Sequence, residues 1–433
     1  MPWSPTSAPA RQRYDDVWCF DENVAVTLNS SGEILKTTDG GANWRRTFQT
    51  PLIPPSNRAV YLRCLAFSDA LNGWAGTLTR ERRLFRTRDG GESWLRVENL
   101  PPGAPVKICG LFAASDKVIY GSGTNDPTDG AAIIKTTDGG ASWQLITMAP
   151  HASSLIDIHF RSEDEGFVVG GLSNSPEPNY DNLRPVILHT QDGGQSWTDR
   201  IAGMQAQFPE GTWGWKIQFL DHSTGFVSLE NLTQAFIMKT TDGGQSWSRI
   251  AVTDNANLEG IGFLDASVGW VGGWGDETFS SGRSSFTADG GTTWTNADVI
   301  GLFINQFRFL GSPARLGYAS GRTVYRFVSE AVPAPPLALA RAVIKSADDA
   351  TYGDAIVPIR IDVPTGARQA SIQIWNRFGK EIGVPLNERA PAPGGRTIAW
   401  DRKDENGKPV APGFYIYRVT IDDSAESQVI QLK

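Results

Sequence analysis

One nine-residue phrase recurs six times in this chain of 433 residues and constrains its fold more than any other feature. Each copy has the form x-Thr-x-Asp-Gly-Gly-x-x-Trp, and successive aspartates are separated by 50, 49, 54, 50 and 47 residues. Regular spacing of this length is typical of a repeated supersecondary unit. The aspartates are Asp39, Asp89, Asp138, Asp192, Asp242 and Asp289, and the tryptophans are Trp44, Trp94, Trp143, Trp197, Trp247 and Trp294.

The residue types of this phrase predict a tight turn. An aspartate can accept hydrogen bonds from the backbone N–H groups of such a turn, and glycine supplies the positive φ that the turn requires. The tryptophan that follows should pack back against the strands. The six carboxylates invite a catalytic interpretation, but one per repeat disperses them around the molecule, so we expect a structural role.

The residues between the phrases predict short strands. Three near-identical stretches, beginning at Phe67, Phe219 and Phe263, indicate a strand, a polar turn closed by glycine and a second strand. Each repeat of about 50 residues holds four short strands at the spacing of all-β arrays. Six tagged repeats and an untagged seventh predict a seven-bladed β-propeller over residues 1–330. The residues before Tyr14 are a candidate closing strand for the last blade.

A second, smaller domain is expected after the repeats. Residues 331–336 form a short Pro-rich linker, and residues 337–433 contain alternating apolar segments such as 356–363 and 370–375. Asn406-Gly407 is a strong hairpin signal. The predicted fold class is therefore all-β, a propeller followed by a small Ig-like β-sandwich.

Composition excludes several classes of function. The net charge of −7 argues against a nucleic-acid partner, which requires a basic footprint. No stretch approaches the length of apolar sequence that a membrane span needs. Three cysteines and four scattered histidines make no zinc motif, and no nucleophile motif is present. We expect no catalytic residues, no metal and no cofactor.

The Asp-Gly-Gly-x-x-Trp phrase matches the Asp-box (BNR) repeat, and residues 17–330 resemble the photosystem II assembly/stability-factor family of propellers. This resemblance implies a non-enzymatic protein that holds a protein partner or a multi-protein assembly. Asp-box propellers also include sialidases and xyloglucan-active glycosidases. The Arg-Ile-Pro signature of sialidases does not occur here, but a carbohydrate-active or carbohydrate-binding protein stays the alternative, with a glycan as its ligand.

The C-terminal run from Trp400 to Tyr415 resembles the Ig-like domain of flagellar hook-capping proteins and the C-terminal domains of type IX-secreted proteins. Those domains usually have glycine where this chain has Arg402, which argues against a working secretion signal. The resemblance implies an extracytoplasmic location. The first five residues show no signal peptide, so a cytoplasmic location stays open.

Two groups of residues are candidates for partner binding. Five arginines fall within nine residues of the second repeat and could bind an acidic partner, although solvated strands are the simpler interpretation. They are Arg80, Arg82, Arg83, Arg86 and Arg88. Trp213, Trp215 and Lys216 open the fifth repeat, where paired tryptophans either bind a ligand or pack within the blade.

Overall fold

The computed structural model describes residues 3–10, 13–53, 59–253, 255–275, 282–311, 314–328, 356–376, 381–422 and 424–432. Contacts divide the chain into two compact units, Met1–Glu330 and Ala331–Lys433. The predicted linker, residues 331–336, lies outside the described residues.

The first unit consists almost entirely of short strands. Those of its first half are β1 (Trp3–Pro5), β2 (Tyr14–Cys19), β3 (Ala25–Asn29), β4 (Glu33–Thr37), β5 (Arg45–Gln49), β6 (Leu62–Phe67), β7 (Gly73–Thr77), β8 (Leu84–Thr87), β9 (Leu95–Arg96), β10 (Gly110–Ala113), β11 (Ile119–Gly123), β12 (Ala132–Thr136) and β13 (Gln144–Thr147). The second half contains β14 (Ser154–Phe160), β15 (Gly166–Leu172), β16 (Arg184–Thr190), β17 (Thr198–Asp199), β18 (Trp213–Phe219), β19 (Gly225–Glu230), β20 (Phe236–Thr240), β21 (Ser248–Ala251), β22 (Leu258–Phe263), β23 (Gly269–Gly273), β24 (Ser284–Thr287), β25 (Thr295–Asn296), β26 (Gln306–Gly311), β27 (Ala314–Ser320) and β28 (Val324–Val328). Short 3-10 helices cover Pro127–Asp129, Tyr180–Asn182, Ala202–Gln207 and Asp298–Ile300.

These strands form seven four-stranded antiparallel sheets, which we number as blades 1 to 7 in chain order. Blades 1 to 6 take four consecutive strands each, from β2–β5 to β22–β25. The first strand of each blade contacts the first strand of the next, and β26 contacts β2, so the ring is closed. The prediction of an all-β propeller is confirmed.

The ring closes because the N-terminus supplies the outer strand of blade 7. β1 pairs with β28, and Trp3 lies opposite Phe327. Trp3 packs with residues of blades 6 and 7, as the Asp-box tryptophan Trp294 packs with residues of blades 5 and 6. The Trp3 ring is 3% exposed and contacts Trp270, Phe307 and Phe327. The predicted closing strand before Tyr14 is confirmed.

The segment after β1 also binds blade 1. The Thr6 hydroxyl donates to the Val324 carbonyl at 2.9 Å and accepts from the Trp44 indole N–H at 3.0 Å. The Ser7 amide donates to the Gly41 carbonyl. One short segment therefore joins the last blade to the first through hydrogen bonds on both sides.

Each Asp-box turn is held by its own side chains. In blade 5, the Asp242 carboxylate accepts from the Ser246 amide at 3.0 Å and from the Ser246 and Thr240 hydroxyls at 2.6 and 2.8 Å. These bonds, above all that from the Ser246 hydroxyl, lower the pKa of Asp242 to about 2. Gly243 and Gly244 have φ values of 74° and 83°, which a residue with a Cβ rarely adopts.

Basic residues link neighbouring Asp boxes. The ammonium groups of Lys36, Lys135 and Lys239 donate to the carbonyl of the first box glycine in the following blade, at 3.0 to 3.2 Å. Blade 7 has no Asp box, but its Arg326 reaches the Glu22 carbonyl of blade 1. Each such bond joins two blades at the same end of the propeller.

The described residues of the second unit form two antiparallel sheets. β29 (Val357–Val363) pairs with β32 (Gly394–Trp400), and the other sheet contains β30 (Gln369–Asn376), β31 (Glu381–Arg389), β33 (Gly413–Ile421) and β34 (Ser424–Leu432). Side chains from both sheets, such as Ile359, Ile372 and Trp400, share one hydrophobic core. The Ig-like relationship of this unit stays a prediction.

Replacing Trp3 with alanine tests the closure. We expect W3A to lower the free energy of unfolding of the propeller by about 3–5 kcal/mol, because a large buried aromatic side chain is lost from a packed site. Urea unfolding of the full chain measures the change. The control L95A removes a side chain that is 77% exposed and should change stability by no more than about 0.5 kcal/mol. Equal effects of the two variants would contradict a closing role for Trp3.

Candidate functional site

Five of the seven first strands carry a β-bulge near their N-terminal end. In β2, β6, β14 and β22 one residue is left without a partner in the neighbouring strand, and in β18 two residues face one. The bulged residues are Asp15, Arg63, Ile156, Glu259 and the pair Trp215 and Lys216. A bulge redirects side chains, and here it turns charged groups of an apolar strand towards the centre of the ring.

These groups meet in a buried set of charges that we call the mouth cluster: Arg13, Asp15, Arg63, Glu230 and Glu259. The Asp15 carboxylate pairs with Arg63 at 2.6 Å and with Arg13 at 2.9 Å. Arg13 also pairs with Glu259 at 2.5 Å. One ion pair joins blade 1 to blade 2, its neighbour in the ring. Another joins Arg13, just before β2, to Glu259 of blade 6, which is not adjacent to blade 1.

The mouth cluster keeps its two arginines charged. Burial disfavours a charged guanidinium, but the Asp15 and Glu259 carboxylates outweigh it and raise the pKa of Arg13. Burial also lowers the pKa of Arg63, but the Asp15 carboxylate outweighs this effect, so the pKa is raised. The Arg63 guanidinium also lies 4.9 Å from the centre of the Trp215 ring, and that of Arg13 lies 4.9 Å from the Trp274 ring.

A second layer of charges follows further along the first strands. Asp16 pairs with Arg308 at 3.3 Å and accepts from the Leu65 amide at 2.8 Å. Lys216 lies 3.7 Å from Asp157. Burial raises the pKa of Asp157, an effect that the Lys216 charge opposes. Both carboxyls therefore have a basic partner and a backbone N–H donor.

Glu230 is the mouth-cluster carboxyl for which the described residues provide no ion-pair partner. It ends β19, lies opposite Trp213 and is 8% exposed. Burial and the neighbouring Glu259 raise the pKa of Glu230 well above its usual value, while Arg13, Arg63 and a hydrogen bond from Trp213 lower it. Its Oε2 atom is buried without a hydrogen-bond partner.

The five predicted arginines do not form one patch. Arg80, Arg82 and Arg83 lie in the loop before β8, whereas Arg86 lies on β8 and Arg88 beside the Asp box at its other end. Arg80 pairs with Asp129 at 2.5 Å, and Arg83 donates to the Ala104 carbonyl at 3.0 Å. Arg86 lies over the Trp74 ring. The group is therefore divided between the two ends of a strand, and three of its members are engaged within the propeller.

Trp213, Trp215 and Lys216 lie in the interior, with 7%, 5% and 2% of their surface exposed. The two rings contact each other at 5.1 Å and pack with Ile156 and Leu183. An exposed platform for sugar stacking is therefore absent at these two rings. The six Asp-box aspartates are distributed over six blades, and each one holds its own turn.

The mouth cluster was not predicted from the sequence, because a bulge has no signature in the alternation of apolar and polar residues. A charged residue inside an apolar run is the signal that was available. Arg63 stands between Leu62 and Cys64, and Glu259 follows Leu258. Such a residue is costly to bury unless it is paired, so its position predicts a partner, although not which one.

Other chemistry is not assembled in the described part of the chain. Cys19, Cys64 and Cys109 are buried free thiols, and burial raises the pKa of each. No group of three or more metal-ligating side chains occurs among the described residues. Within the same residues, no helix is long and apolar enough to cross a membrane.

The sequence is similar to those of known propeller proteins. Residues 1–148 match the family model described as photosynthesis system II assembly factor YCF48. The photosystem II assembly lipoprotein Ycf48 of Trichormus variabilis is 27% identical over 335 residues, which cover 74% of this chain and 84% of that protein. The propeller resembles the photosystem II assembly factors. The Ycf48 of a Synechococcus species is also 27% identical, over 175 residues that cover 40% of this chain and about half (48%) of that protein.

Two solved structures share the fold at low sequence identity. One is described as YCF48 bound to D1 peptide, with a TM-score of 0.55, 18% identity and coverage of 76% of this chain and 98% of that one. The other is the GH74 enzyme of Niastella koreensis, with a TM-score of 0.52, 13% identity and coverage of 99% of this chain and 74% of that one. A fold that assembly factors and an enzyme share does not itself define the function.

Replacing Arg63 tests the charge pairing. The variant R63M leaves Asp15 buried with one cation fewer, so we expect the free energy of unfolding to fall by about 3–5 kcal/mol. The matched control R46M removes the ion pair between Glu33 and Arg46, an arginine whose side chain is 58% exposed. This change should lower the free energy of unfolding by at most about 1 kcal/mol. Urea unfolding compares the two variants. An R63M protein as stable as R46M would show that the pair contributes no more than a surface ion pair.

Proposed function

We propose that this protein is a non-enzymatic assembly protein that holds a protein partner on its propeller. The observation that carries the proposal is the ion pairing of the carboxyl groups on the first strands, around the centre of the ring. Asp15, Asp16, Asp157 and Glu259 each form an ion pair with a buried or partly buried basic side chain. Acid–base hydrolysis of a glycoside needs two carboxyls available to one substrate, and this pairing leaves Glu230 alone.

The relatives support a protein as the partner. They are named as assembly factors, and one related structure carries a peptide. The propeller offers a preformed surface, because closed blades and paired charges fix the side chains before a partner arrives. A segment of a partner protein that docks at the end of the channel is the class of ligand that we propose.

The second unit would dock the propeller to a larger structure. The described residues of this unit, between 356 and 432, have a hydrophobic core of their own, so the unit can act as a separate module. The relatives are named lipoproteins, which supports an extracytoplasmic location for this chain. A carbohydrate ligand stays the alternative, although the burial of Trp213 and Trp215 removes the aromatic platform on which it was based.

Affinity capture with cross-linking tests the proposal. The tagged full chain is expressed in its source cells, cross-linked through amines and analysed by mass spectrometry. We expect one stoichiometric protein partner cross-linked at Lys107, which precedes the first strand of blade 3, at the end of the first strands where the bulges of other blades lie. Components of a larger assembly should be cross-linked at Lys403 and Lys408. Purified protein is incubated in parallel with a panel of oligosaccharides, where we expect no binding and no hydrolysis.

Two outcomes would contradict the proposal. Turnover or saturable binding of an oligosaccharide would support the carbohydrate function instead. Recovery of the chain with no protein cross-linked to it at stoichiometric yield would remove the assembly role. Lys117, at the opposite end of blade 3, is the internal control, because contact through the mouth predicts few cross-links there.

A further inference from the structure

The mouth cluster has more buried acceptors than the chain uses. Four buried side-chain oxygens near it have no hydrogen-bond partner: Oδ2 of Asp15, Oε2 of Glu230, and Oδ1 of Asn257 and Asn305. The other end of the Asn305 amide donates to Glu259 at 3.3 Å, which fixes the orientation of that group. Three buried donors there also lack a hydrogen bond: the Nε atoms of Arg13 and Arg63 and the Trp215 indole N–H, although Arg13 Nε lies 2.9 Å from the Asp15 carboxylate. Buried acceptors are rarely left without a donor, so the four oxygens are positions at which a ligand would supply donors.

The charges of the mouth cluster point in the same direction. Arg13 and Arg63 supply two positive charges, whereas Asp15, Glu259 and Glu230 can supply three negative ones. The two arginines are already engaged with Asp15 and Glu259. With Glu230 ionised the cluster therefore carries a net charge of −1, and Glu230 is the carboxyl that forms no ion pair among the described residues.

The Trp213 ring lies next to this carboxyl, and further aromatic rings belong to the same end of the propeller. Trp213 lies opposite Glu230 in the sheet and contacts Tyr180, a ring from the loop after β15 that is 46% exposed, at 5.2 Å. On the side of blade 6, Trp274 contacts Phe303 at 4.6 Å. Rings beside a carboxylate attract a cation through their negative faces, whereas they offer nothing to an anion.

Two residues beside the cluster have left-handed backbone conformations. Asn257 and Phe303, with φ values of 54° and 64°, are the two non-glycine residues with positive φ in the described part of the propeller. For a bulky residue such as phenylalanine this conformation is strained, and strain of this kind concentrates at binding sites. The strain does not define the ligand, but its location coincides with the unsatisfied acceptors.

We propose that the mouth cluster binds the side-chain cation of a basic residue, lysine or arginine, presented by the protein partner. Glu230 is the counter-ion, and Asp15, Asn257 and Asn305 accept the remaining N–H donors. The proposal rests on the proposed function for the existence of a protein partner. It adds the chemical group by which that partner is recognised.

Protonation supplies a second signature. Burial and Glu259 raise the pKa of Glu230, against Arg13, Arg63 and the Trp213 indole. Tyr61, Tyr180 and Asp15 are further titratable groups near the cluster. A bound cation favours the ionised carboxylate, so binding releases a proton from Glu230. Affinity should therefore increase as the pH rises towards the pKa of the free site.

Blocked pentapeptides that differ at one position test the proposal on the full chain. Their central residue is lysine, arginine or norleucine, the last being a neutral analogue of lysine. Titration calorimetry should detect saturable binding of the two basic peptides and at least tenfold weaker binding of the norleucine peptide. Calorimetry in two buffers with different ionisation enthalpies should detect the released proton.

Variants assign the binding to Glu230. We expect E230Q to weaken the basic peptides at least tenfold and to abolish proton release, and Y180A, which changes an exposed ring, to weaken them several-fold. The matched control E22Q changes an exposed carboxyl at the opposite end of blade 1 and should bind as the wild type does. Circular dichroism verifies that each variant is folded.

Three results would overturn the proposal. They are equal binding of the norleucine and lysine peptides, unchanged binding by E230Q, and saturable binding of a neutral oligosaccharide that E230Q abolishes. A chain that captures a stoichiometric protein partner but binds no basic peptide would refute the cation site alone. A chain that captures no protein partner would refute the proposed function, whatever the peptides do.

Discussion

The closure of the ring by the N-terminal strand is the constraint on which the rest of the propeller depends. Blade 7 obtains three strands from its own repeat and the fourth from residues 3–5. Without that strand, β28 would expose an unpaired edge, and the site filled by Trp3 would be empty. The pairing of β1 with β28, together with the bonds of Thr6 to blades 7 and 1, also holds these two blades side by side. The first strands are thereby kept at fixed positions around the centre of the ring.

The fixed positions of the first strands around the ring explain why the charges of the mouth cluster meet. Arg13 reaches Glu259 in blade 6, and Arg63 reaches Asp15 in blade 1, only because the first strands are held in a ring. The bulges turn these side chains inward, and their mutual pairing compensates much of the cost of burial. The same geometry leaves Glu230 beside the Trp213 ring without an ion-pair partner among the described residues, so the scaffold and the candidate site have a common origin.

The repeat made the propeller predictable from the sequence, since six spaced copies of one turn specify the unit, and the strand pattern after them indicates one further, untagged blade. Trp3 could not be assigned a role, because its partners Trp270 and Phe307 are distant in sequence. The arginines from Arg80 to Arg88 illustrate the opposite error: proximity in sequence suggested one patch, but the strand places them at its two ends. The charged bulge residues were visible, but only the closed ring shows which of them meet.

Native-state hydrogen exchange tests the closed ring most directly. If closure makes the propeller one cooperative unit, the slowest amides of all seven first strands should exchange with a common opening free energy, equal to that of global unfolding. The first strands of blades 1 and 7 should then be as protected as those of blades 3 to 5. Markedly faster exchange in β2 and β26 would show that the ring opens at the junction of the chain ends, and would contradict the account.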